Sequence, residues 1–277
     1  MSKTIILSNR LPIQLQIAEG KIEAIPSVGG LATGMKSVHR EGESLWIGWS
    51  GLTREDIPET LEGDIDSALA RYGCRKVPLG EKEVEGFYFG FSNRTVWPLF
   101  HYFLEYAEFE LSNWKVYEAV NRKFAEAVIE AADDDDVLWV HDYQLMLVPA
   151  MVREKRPDIS IGFFLHIPFP SHETYSATPG HDWLGKALLS YDLVGFQTST
   201  DVENFTNMIK MEFGGDAQIE GDVIHTEERL TRFGRFPIGI DVDAFRAQLE
   251  HLRERHTVID LDTAAAVLRQ ARLREQV

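Results

Sequence analysis

The chain is poor in cysteine, in positive charge and in long apolar runs, and each shortage excludes a class of protein. Cys74 is the only cysteine among 277 residues, so an internal disulfide or a thiolate metal cage cannot form. The formal net charge of −16 argues against nucleic acid or an anionic membrane as a partner, because both need clustered Lys and Arg. The apolar stretches are too short for a signal peptide or a membrane span, so a cytoplasmic location is expected.

What remains is the composition of a folded globular protein. The apolar share of 44% is ordinary for a globular protein, and 277 residues can bury a large core. A small phosphorylated ligand also fits the acidic composition, since it needs only one or two local cations.

Apolar runs without polar alternation recur along the chain, which is typical of strands buried on both faces of a parallel sheet. The strands predicted in this way are Thr4–Leu7, Leu45–Gly48, Val137–Val140, Ile159–Leu165 and Leu193–Phe196, with a last apolar segment at Phe233–Ile240. Gln14–Ile17 and Lys21–Ile25 flank a turn and predict a hairpin.

Helical patterns lie between these strands. The predicted helices run from Gly29 to about Val38, from Trp114 to Ala131, over Pro149–Lys155, over His181–Ser190, and from a capping box formed by Thr200 and Glu203. This alternation predicts a doubly wound, Rossmann-like α/β domain over residues 1–240. Residues 241–277 lack a strand pattern and are predicted to be a helical appendage.

Polar residues follow three of the predicted strands at the point where each ends. Arg10 follows the first, His141 and Asp142 follow the third, and His166 follows the fourth. Carboxyl ends of parallel strands meet at one edge of the sheet, where ligands bind. Arg10 is suited to bidentate contact with a phosphate, although a structural ion pair fits equally well. The two histidines and Asp142 fit either a metal site or a set of buried, hydrogen-bonded groups.

Other candidates have an ordinary structural alternative. Gly29 and Gly30, at a predicted helix start, fit a phosphate cradle or a simple turn. Asp133–Asp136 precedes its strand, so a solvated loop at the opposite edge is expected rather than a cation site. Four tryptophans are interpreted as core or pocket wall: Trp46, Trp49, Trp97 and Trp114.

Eight short blocks occur in the order seen in trehalose-6-phosphate synthases, glycosyltransferase family 20, and the chain resembles the N-terminal half of these enzymes. They are Ser8–Arg10 (SNR), Gly29–Leu31 (GGL), Leu45–Gly51 (LWIGWSG), Phe91–Tyr102 (FSN…WPLFHY), Trp139–Tyr143 (WVHDY), Phe163–Pro170 (FFLHIPFP), Asp192–Thr198 (DLVGFQT) and Phe236–Asp241 (FPIGID). The resemblance implies a two-Rossmann-domain (GT-B) glycosyltransferase. The activity implied is transfer of glucose from UDP-glucose to glucose 6-phosphate with retention of configuration, without metal or cofactor.

The resemblance also implies roles for individual residues. On the acceptor side, Arg10 resembles the arginine that binds the phosphate, and Tyr88 and Trp97 resemble the aromatic residues around the sugar. Asp142 resembles the carboxylate that hydrogen-bonds the acceptor hydroxyls.

On the donor side, Gly29 and Gly30 resemble the loop that closes on UDP-glucose, and His166 resembles the histidine beside the transferred glucose. His166 and Asp142 are the catalytic candidates.

The sequence departs from the family pattern at two positions and in one whole block. Gln144 and His172 replace residues usual near the acceptor side. The Arg-Leu-Asp-Tyr block, which brings an arginine and a lysine to the donor diphosphate, is absent from the 277 residues. The chain is therefore expected to be the acceptor-side half, either part of a longer gene or the partner of a separately encoded C-terminal half. On this resemblance, residues 241–277 are either the helical appendage predicted above or a truncated linker to a missing donor domain.

Two other functions fit the same residues. One is a non-catalytic sugar-phosphate binding module, and the other is a metal-dependent hydrolase that uses His141, Asp142 and His166. The face around Gly29, Gly30, Trp97, His141 and His166 is expected to be open and apolar, which predicts self-association or coverage by residues 241–277.

Overall fold

The computed structural model describes residues 2–18, 21–27, 31, 35, 39 and 44–238, most of which form one α/β unit. Its strands are β1 (Thr4–Arg10), β2 (Ile13–Ala18), β3 (Lys21–Pro26), β4 (Ser44–Trp49), β5 (Cys74–Lys76), β6 (Val137–His141), β7 (Ser160–Phe164), β8 (Leu193–Phe196), β9 (Gln218–Glu220), β10 (Val223–His225) and β11 (Leu230–Arg235). Its α-helices are α1 (Glu62–Ala70), α2 (Glu81–Glu83), α3 (Trp97–Phe100), α4 (Leu111–Ala131), α5 (Val148–Arg153), α6 (His172–Tyr175), α7 (His181–Leu188) and α8 (Ser199–Phe213). A π-helix, Val84–Val96, joins α2 to α3.

The central sheet has the strand order β5-β4-β1-β6-β7-β8-β11-β10-β9. The pairs from β5 to β11 are parallel, and β10 and β9 add an antiparallel edge. After β1, the strands β4 and β5 are added on one side of β1, and the chain then crosses back so that β6 pairs with the other side of β1. The strand order therefore reverses between β1 and β6, which is where a doubly wound sheet opens a ligand crevice at its carboxyl edge.

The core explains why the central strands read as unbroken apolar runs. Successive side chains of a strand point to opposite faces, and here both faces are covered. Ile5 and Leu7 belong to the larger core cluster on one face, whereas Ile6 packs with Trp46 and Ile65 in a second cluster on the other face. All three β1 side chains are fully buried.

The five predicted strands, the hairpin and the long helix are confirmed, with ends shifted by a few residues. The hairpin, β2 with β3, forms a separate two-stranded sheet. The last apolar segment contains a strand, which runs earlier than predicted, over Leu230–Arg235. The sequence patterns missed α1, the π-helix and the short strands β5, β9 and β10, because short or irregular elements carry little periodicity.

The predicted capping box is wrong by two residues. The cap of α8 is Thr198, whose hydroxyl accepts the Asp201 N–H at 3.2 Å, while the Asp201 carboxylate accepts the Thr198 N–H at 2.9 Å. Asp201 also accepts the N–H of Phe169 at 3.0 Å. This buried link to another loop fixes the helix start earlier than the alternative pair would.

The acidic loop before β6 is only partly solvated. Asp133 and Asp134 are exposed, as expected, but Asp136 is buried and pairs with Lys3 at 2.7 Å. Its carboxylate also accepts the N–H of Lys3 at 2.8 Å and that of Asp133 at 2.9 Å, so Asp136 closes the loop onto the start of β1.

Part of the predicted organisation lies outside the described residues. This applies to most of the helix predicted from Gly29 to Val38, although the N–H groups of Met35 and His39 donate to the carbonyls of Leu31 and Met35. It also applies to the helices predicted beyond Asp241, so the boundary at 240 stays a prediction.

Gly48 provides a test of how closely β4 approaches β1. A Cβ at Gly48 would lie 2.9 Å from the Ser8 carbonyl oxygen and 3.0 Å from the Leu11 nitrogen, both backbone atoms that cannot move aside. Gly48→Ala should lower the free energy of unfolding in urea by about 1–3 kcal/mol. Gly63→Ala is the matched control: Gly63 has no neighbour within 4 Å in α1, and this change should be neutral or stabilise by up to ~1 kcal/mol. Equal effects of the two changes would contradict the close contact.

Candidate functional site at the carboxyl edge

Arg10 is the last residue of β1, and its side chain lies over the ring of Trp49. The guanidinium carbon is 4.3 Å from the ring centroid, a cation–π arrangement that leaves the guanidinium edge free to donate. Gly51, at φ +95°, makes this possible, because a Cβ there would lie 2.6 Å from Arg10 Nη1. Within the described ranges, no carboxylate forms an ion pair with Arg10, so the structural ion pair considered for Arg10 does not occur among these residues.

The backbone of Arg10 is held by hydrogen bonds that involve Ser8 and Trp46, which belong to the first and third of the blocks that resemble the family. The Ser8 hydroxyl donates to the Arg10 carbonyl at 2.7 Å and accepts from Trp46 Nε1 at 2.7 Å. Ser8 and Trp46 are both buried, so these hydrogen bonds fix the direction in which β1 leaves the sheet. Trp46 therefore acts from the core, as expected, whereas Trp49 is part of the site.

Tyr88 and Trp97 come from one continuous helical run. The Tyr88 ring centroid lies 6.2 Å from that of Trp49, so Tyr88 and Arg10 share Trp49 as a neighbour. The Trp97 N–H donates to the carbonyl of Ser92, five residues back, at the end of the π-helix. A π-helix is rare and is found frequently at functional sites. Trp97 is 38% exposed and stacks on His101 at 4.1 Å, so its described ring contacts lead away from Tyr88.

Asp142 follows β6 in a backbone conformation that L-residues rarely adopt. Its φ is 73° and its ψ is 169°, which costs on the order of 1–3 kcal/mol and is found mainly at functional sites. The carboxylate accepts a hydrogen bond from the backbone N–H of His166 at 3.2 Å. The backbone N–H of Asp142 donates to the backbone carbonyl of Phe164 at 2.9 Å. Burial raises the pKa of Asp142 to about 6, although the hydrogen bonds from the N–H groups of His166 and Tyr143 oppose the shift.

Tyr143 connects the Asp142 turn to the π-helix. Its hydroxyl donates to Asn93 Oδ1 at 2.8 Å, and its ring is buried. Arg10, Tyr88 and Asp142 are thus brought to the same sheet edge through Trp49, Tyr143 and Asn93. Sequence reasoning did not single out Trp49, Asn93 or Tyr143 as site residues, although all three lie within the blocks that resemble the family.

His141 and His166 form a pair at the ends of β6 and β7. Because His141 pairs in register with Phe164, His166 lies just beyond the strand end, and its Nε2 is 3.0 Å from His141 Nδ1. Burial lowers the pKa of His141 to about 3, with a smaller effect from His166, and lowers that of His166 to about 4. Both are therefore neutral at pH 7.

The expectation that His141 lies on an open face is wrong. His141 is only 1% exposed, because it is the last residue of a buried central strand. The centroid of its ring lies 4.7 Å from that of Trp139. His166 is half-buried above His141.

The geometry also does not support the metal-dependent hydrolase. The facing nitrogens of His141 and His166 are hydrogen-bonded to each other, so they do not point to a common ligand position with Asp142. Across the described ranges, no group of three or more His, Cys, Asp or Glu side chains is arranged to hold a metal ion.

The remaining predicted site residues are less central. Gly29 and Gly30 lie outside the described residues. Gln144 is buried, and its backbone carbonyl accepts a hydrogen bond from Asn121 Nδ2 at 3.0 Å. His172 Nε2 pairs with Glu212 at 2.8 Å.

A cavity of about 940 Å³ lies at the opposite end of the sheet. Its wall includes Trp114, Trp183 and Phe213, together with residues that precede β8 and β11, and it excludes Arg10 and Asp142. It is therefore separate from the site. None of the described helices is long and apolar enough to cross a membrane.

The strand order and the site edge define one Rossmann-like domain, and comparisons with known proteins place it among the two-domain GT-B glycosyltransferases. The family model of glycosyltransferase family 20 matches residues 2–266. The chain belongs to this family.

Three relatives illustrate the match and its extent. A bifunctional trehalose-6-phosphate synthase/phosphatase of Thermoproteus tenax is 44% identical over 88% of this chain and 33% of its own length. The structure of an alpha,alpha-trehalose 6-phosphate synthase from Burkholderia multivorans is 34% identical, with a TM-score of 0.78 over 95% of this chain and 55% of its own. A UDP-forming alpha,alpha-trehalose-phosphate synthase from Burkholderia xenovorans, solved in complex with glucose-6-phosphate, is 32% identical with a TM-score of 0.72 over 91% and 53%. The chain thus spans between a third and just over half the length of these relatives.

The raised pKa of Asp142 predicts a pH-dependent stability. Its pKa is about 6 in the folded chain against 3.8 for an unperturbed Asp, so protonation favours the folded state. The stability that this group contributes is fully present below pH 3.8 and is lost as the pH rises through 6.

Asp142→Asn removes the titration but keeps an oxygen that can accept the His166 N–H. The variant should therefore gain stability over the wild type by about 2 kcal/mol between pH 4.5 and pH 7.5. Urea unfolding at both pH values measures this gain, and a difference independent of pH would contradict the buried-carboxylate assignment.

Proposed function

We propose that this chain supplies the acceptor-binding half of a retaining glucosyltransferase, which moves glucose from UDP-glucose to glucose 6-phosphate to give trehalose 6-phosphate. The observation that supports it best is the placement of Arg10 and Asp142 at the ends of adjacent parallel strands, β1 and β6. A cation for a phosphate and a carboxylate for hydroxyls then lie on either side of the crevice where the strand order reverses. The related Burkholderia xenovorans enzyme is described as UDP-forming and in complex with glucose-6-phosphate.

Each side chain has a physical role in this proposal. Arg10 is positioned by Trp49 and Gly51 and donates two parallel hydrogen bonds to the phosphate. Tyr88 and Trp97 form apolar walls against the sugar ring. Asp142 accepts hydrogen bonds from acceptor hydroxyls and orients the attacking oxygen.

Orientation is the main contribution of these residues to the reaction. A fixed acceptor hydroxyl beside the anomeric carbon makes an effectively unimolecular reaction out of a bimolecular one. The acceptor hydroxyl oxygen forms a bond to the anomeric carbon on the face from which the diphosphate of UDP departs, as retention requires. The electron pair of the broken bond stays on the diphosphate oxygen, which also takes the hydroxyl proton. His166 lies next to Asp142, where it contacts the glucose being transferred, and Gly29 and Gly30 close on the donor.

The phosphate contact of Arg10 can be tested with two ligands that differ only in that group. Arg10→Ala should weaken binding of glucose 6-phosphate by roughly 10- to 100-fold, which is the range for hydrogen bonds to a charged group, and should change binding of glucose by less than about threefold. Isothermal titration calorimetry of both ligands measures the difference.

Arg122→Ala is the matched control, because it also removes one positive charge. Arg122 lies on α4 and pairs with Glu154 at 3.5 Å, away from Arg10. It should leave both affinities unchanged. An equal loss for glucose and glucose 6-phosphate in Arg10→Ala would remove Arg10 from the phosphate site.

The chain should be unable to complete the reaction by itself. Its 277 residues contain no Arg-Leu-Asp-Tyr block, and cations at the leaving diphosphate supply a large part of transition-state stabilisation. The purified chain, mixed with UDP-glucose and glucose 6-phosphate, should release no UDP above the rate without protein. A turnover number in the ordinary range for enzymes would contradict this and would direct attention to donor contacts in residues 241–277.

A further inference from the structure

His141 has no assigned role, yet it is held on several sides at the carboxyl edge. It is fully buried as the last residue of β6, and its ring lies between those of Trp139 and His166, at 4.7 and 5.3 Å. Its Nδ1 lies 3.0 Å from His166 Nε2. Its other nitrogen, Nε2, is buried and has no hydrogen-bond partner among the described residues.

Two neutral imidazoles can share this contact in only two ways. A neutral imidazole has one N–H donor and one acceptor nitrogen. If His166 donates from Nε2, then His141 carries its hydrogen on the buried, unpartnered Nε2. If His141 donates from Nδ1, its Nε2 is an unfilled acceptor instead.

The unpartnered nitrogen decides between these two arrangements. Among backbone groups, buried N–H donors without an acceptor are rarer than unfilled acceptors. We extend this preference to the buried imidazole, which favours the arrangement with a bare Nε2. The ring contacts on both sides of His141 prevent it from turning to seek another partner.

We infer that His141 is a positioning residue, which donates its Nδ1–H to His166 Nε2 and thereby fixes His166 in the Nδ1–H tautomer. His166 Nδ1 has no hydrogen-bond partner within the described ranges, so this N–H is available to a ligand. His166 then offers a neutral donor to a ligand oxygen, such as a sugar hydroxyl, and its Nε2 is occupied and unable to accept a proton from substrate. The identity of that ligand rests on the proposed function, but the tautomer does not.

Asp142 and Phe164 hold His166 in place at points other than its Nε2. The carboxylate of Asp142 accepts the backbone N–H of His166 at 3.2 Å, and the Phe164 ring meets the His166 ring edge-on at 4.8 Å. The His166 ring is therefore constrained through its backbone, its neighbour and its Nε2, and only Nδ1 remains open.

Long-range ¹H–¹⁵N correlation spectra of the full chain, labelled with ¹⁵N-histidine, test the tautomer directly at pH 7. Protonated and bare imidazole nitrogens resonate in separate ranges, and His166→Gln and His141→Asn assign the two residues among the nine histidines. The expected result is Nδ1–H on both. Nuclear Overhauser effects from the Trp139 ring to His141 and from the Phe164 ring to His166 assign the same pair if a variant fails to fold. An Nε2–H tautomer at His166, or an equal mixture, would overturn the inference.

A pair of variants separates positioning from simple packing. His141→Asn keeps an amide donor near the position of Nδ1, whereas His141→Leu fills the space without a donor. Asn should preserve the Nδ1–H tautomer of His166, and Leu should shift the tautomer ratio by about fivefold or more toward Nε2–H. The same ratio in both variants would show that packing alone orients His166.

The outcome is independent of the sugar chemistry. If glucose 6-phosphate failed to bind while His166 kept the Nδ1–H tautomer, the proposed function would fail and the positioning role would stand. If glucose 6-phosphate bound and His166 carried its hydrogen on Nε2, only the positioning role would fail.

Discussion

The parallel pairing of β1 with β6 is the constraint on which the site depends. These strands are neighbours in the sheet but are separated by more than a hundred residues in the chain, and their register is set by Thr4 opposite Val137 and Leu7 opposite Val140. Their carboxyl ends carry Arg10 and Asp142. A slip of one residue would reverse the faces of Ile5, Ile6 and Leu7, which are all fully buried, so the core fixes the register and thereby the separation of the two polar groups.

The site is also electrostatically unusual for such an acidic chain. Arg10 rests on an aromatic ring rather than on a carboxylate of the described residues, while burial keeps His141 and His166 neutral and raises the pKa of Asp142 to about 6. A cation without a carboxylate partner among the described residues, beside two neutral imidazoles and a buried carboxylate, suits a ligand that has one anionic end and several hydroxyl groups. The strained backbone of Asp142 is maintained by the hydrogen bonds that surround it, which is the usual situation where strain serves function.

The sequence predicted the fold class and the placement of Arg10, Asp142 and His166, because unbroken apolar runs and chain order are enough to locate the carboxyl ends of parallel strands. It could not predict contacts that depend on backbone direction. Trp49 lies under Arg10 only because Gly51 has a positive φ, and Tyr88 reaches Trp49 only through an irregular helix. His141 was expected at an open face, but its place as the last residue of a central strand buries it. The start of α8 was misplaced because Asp201 is also bound to Phe169, an interaction that no local pattern reveals.

A crystal structure of the chain with glucose 6-phosphate would test the central claim most directly. The account predicts phosphate oxygens within hydrogen-bonding distance of the Arg10 guanidinium and sugar hydroxyls on the Asp142 carboxylate, with the sugar ring between Tyr88 and the end of β6. A sugar phosphate bound elsewhere, for instance in the cavity lined by Trp114 and Trp183, with Arg10 and Asp142 unliganded, would contradict it.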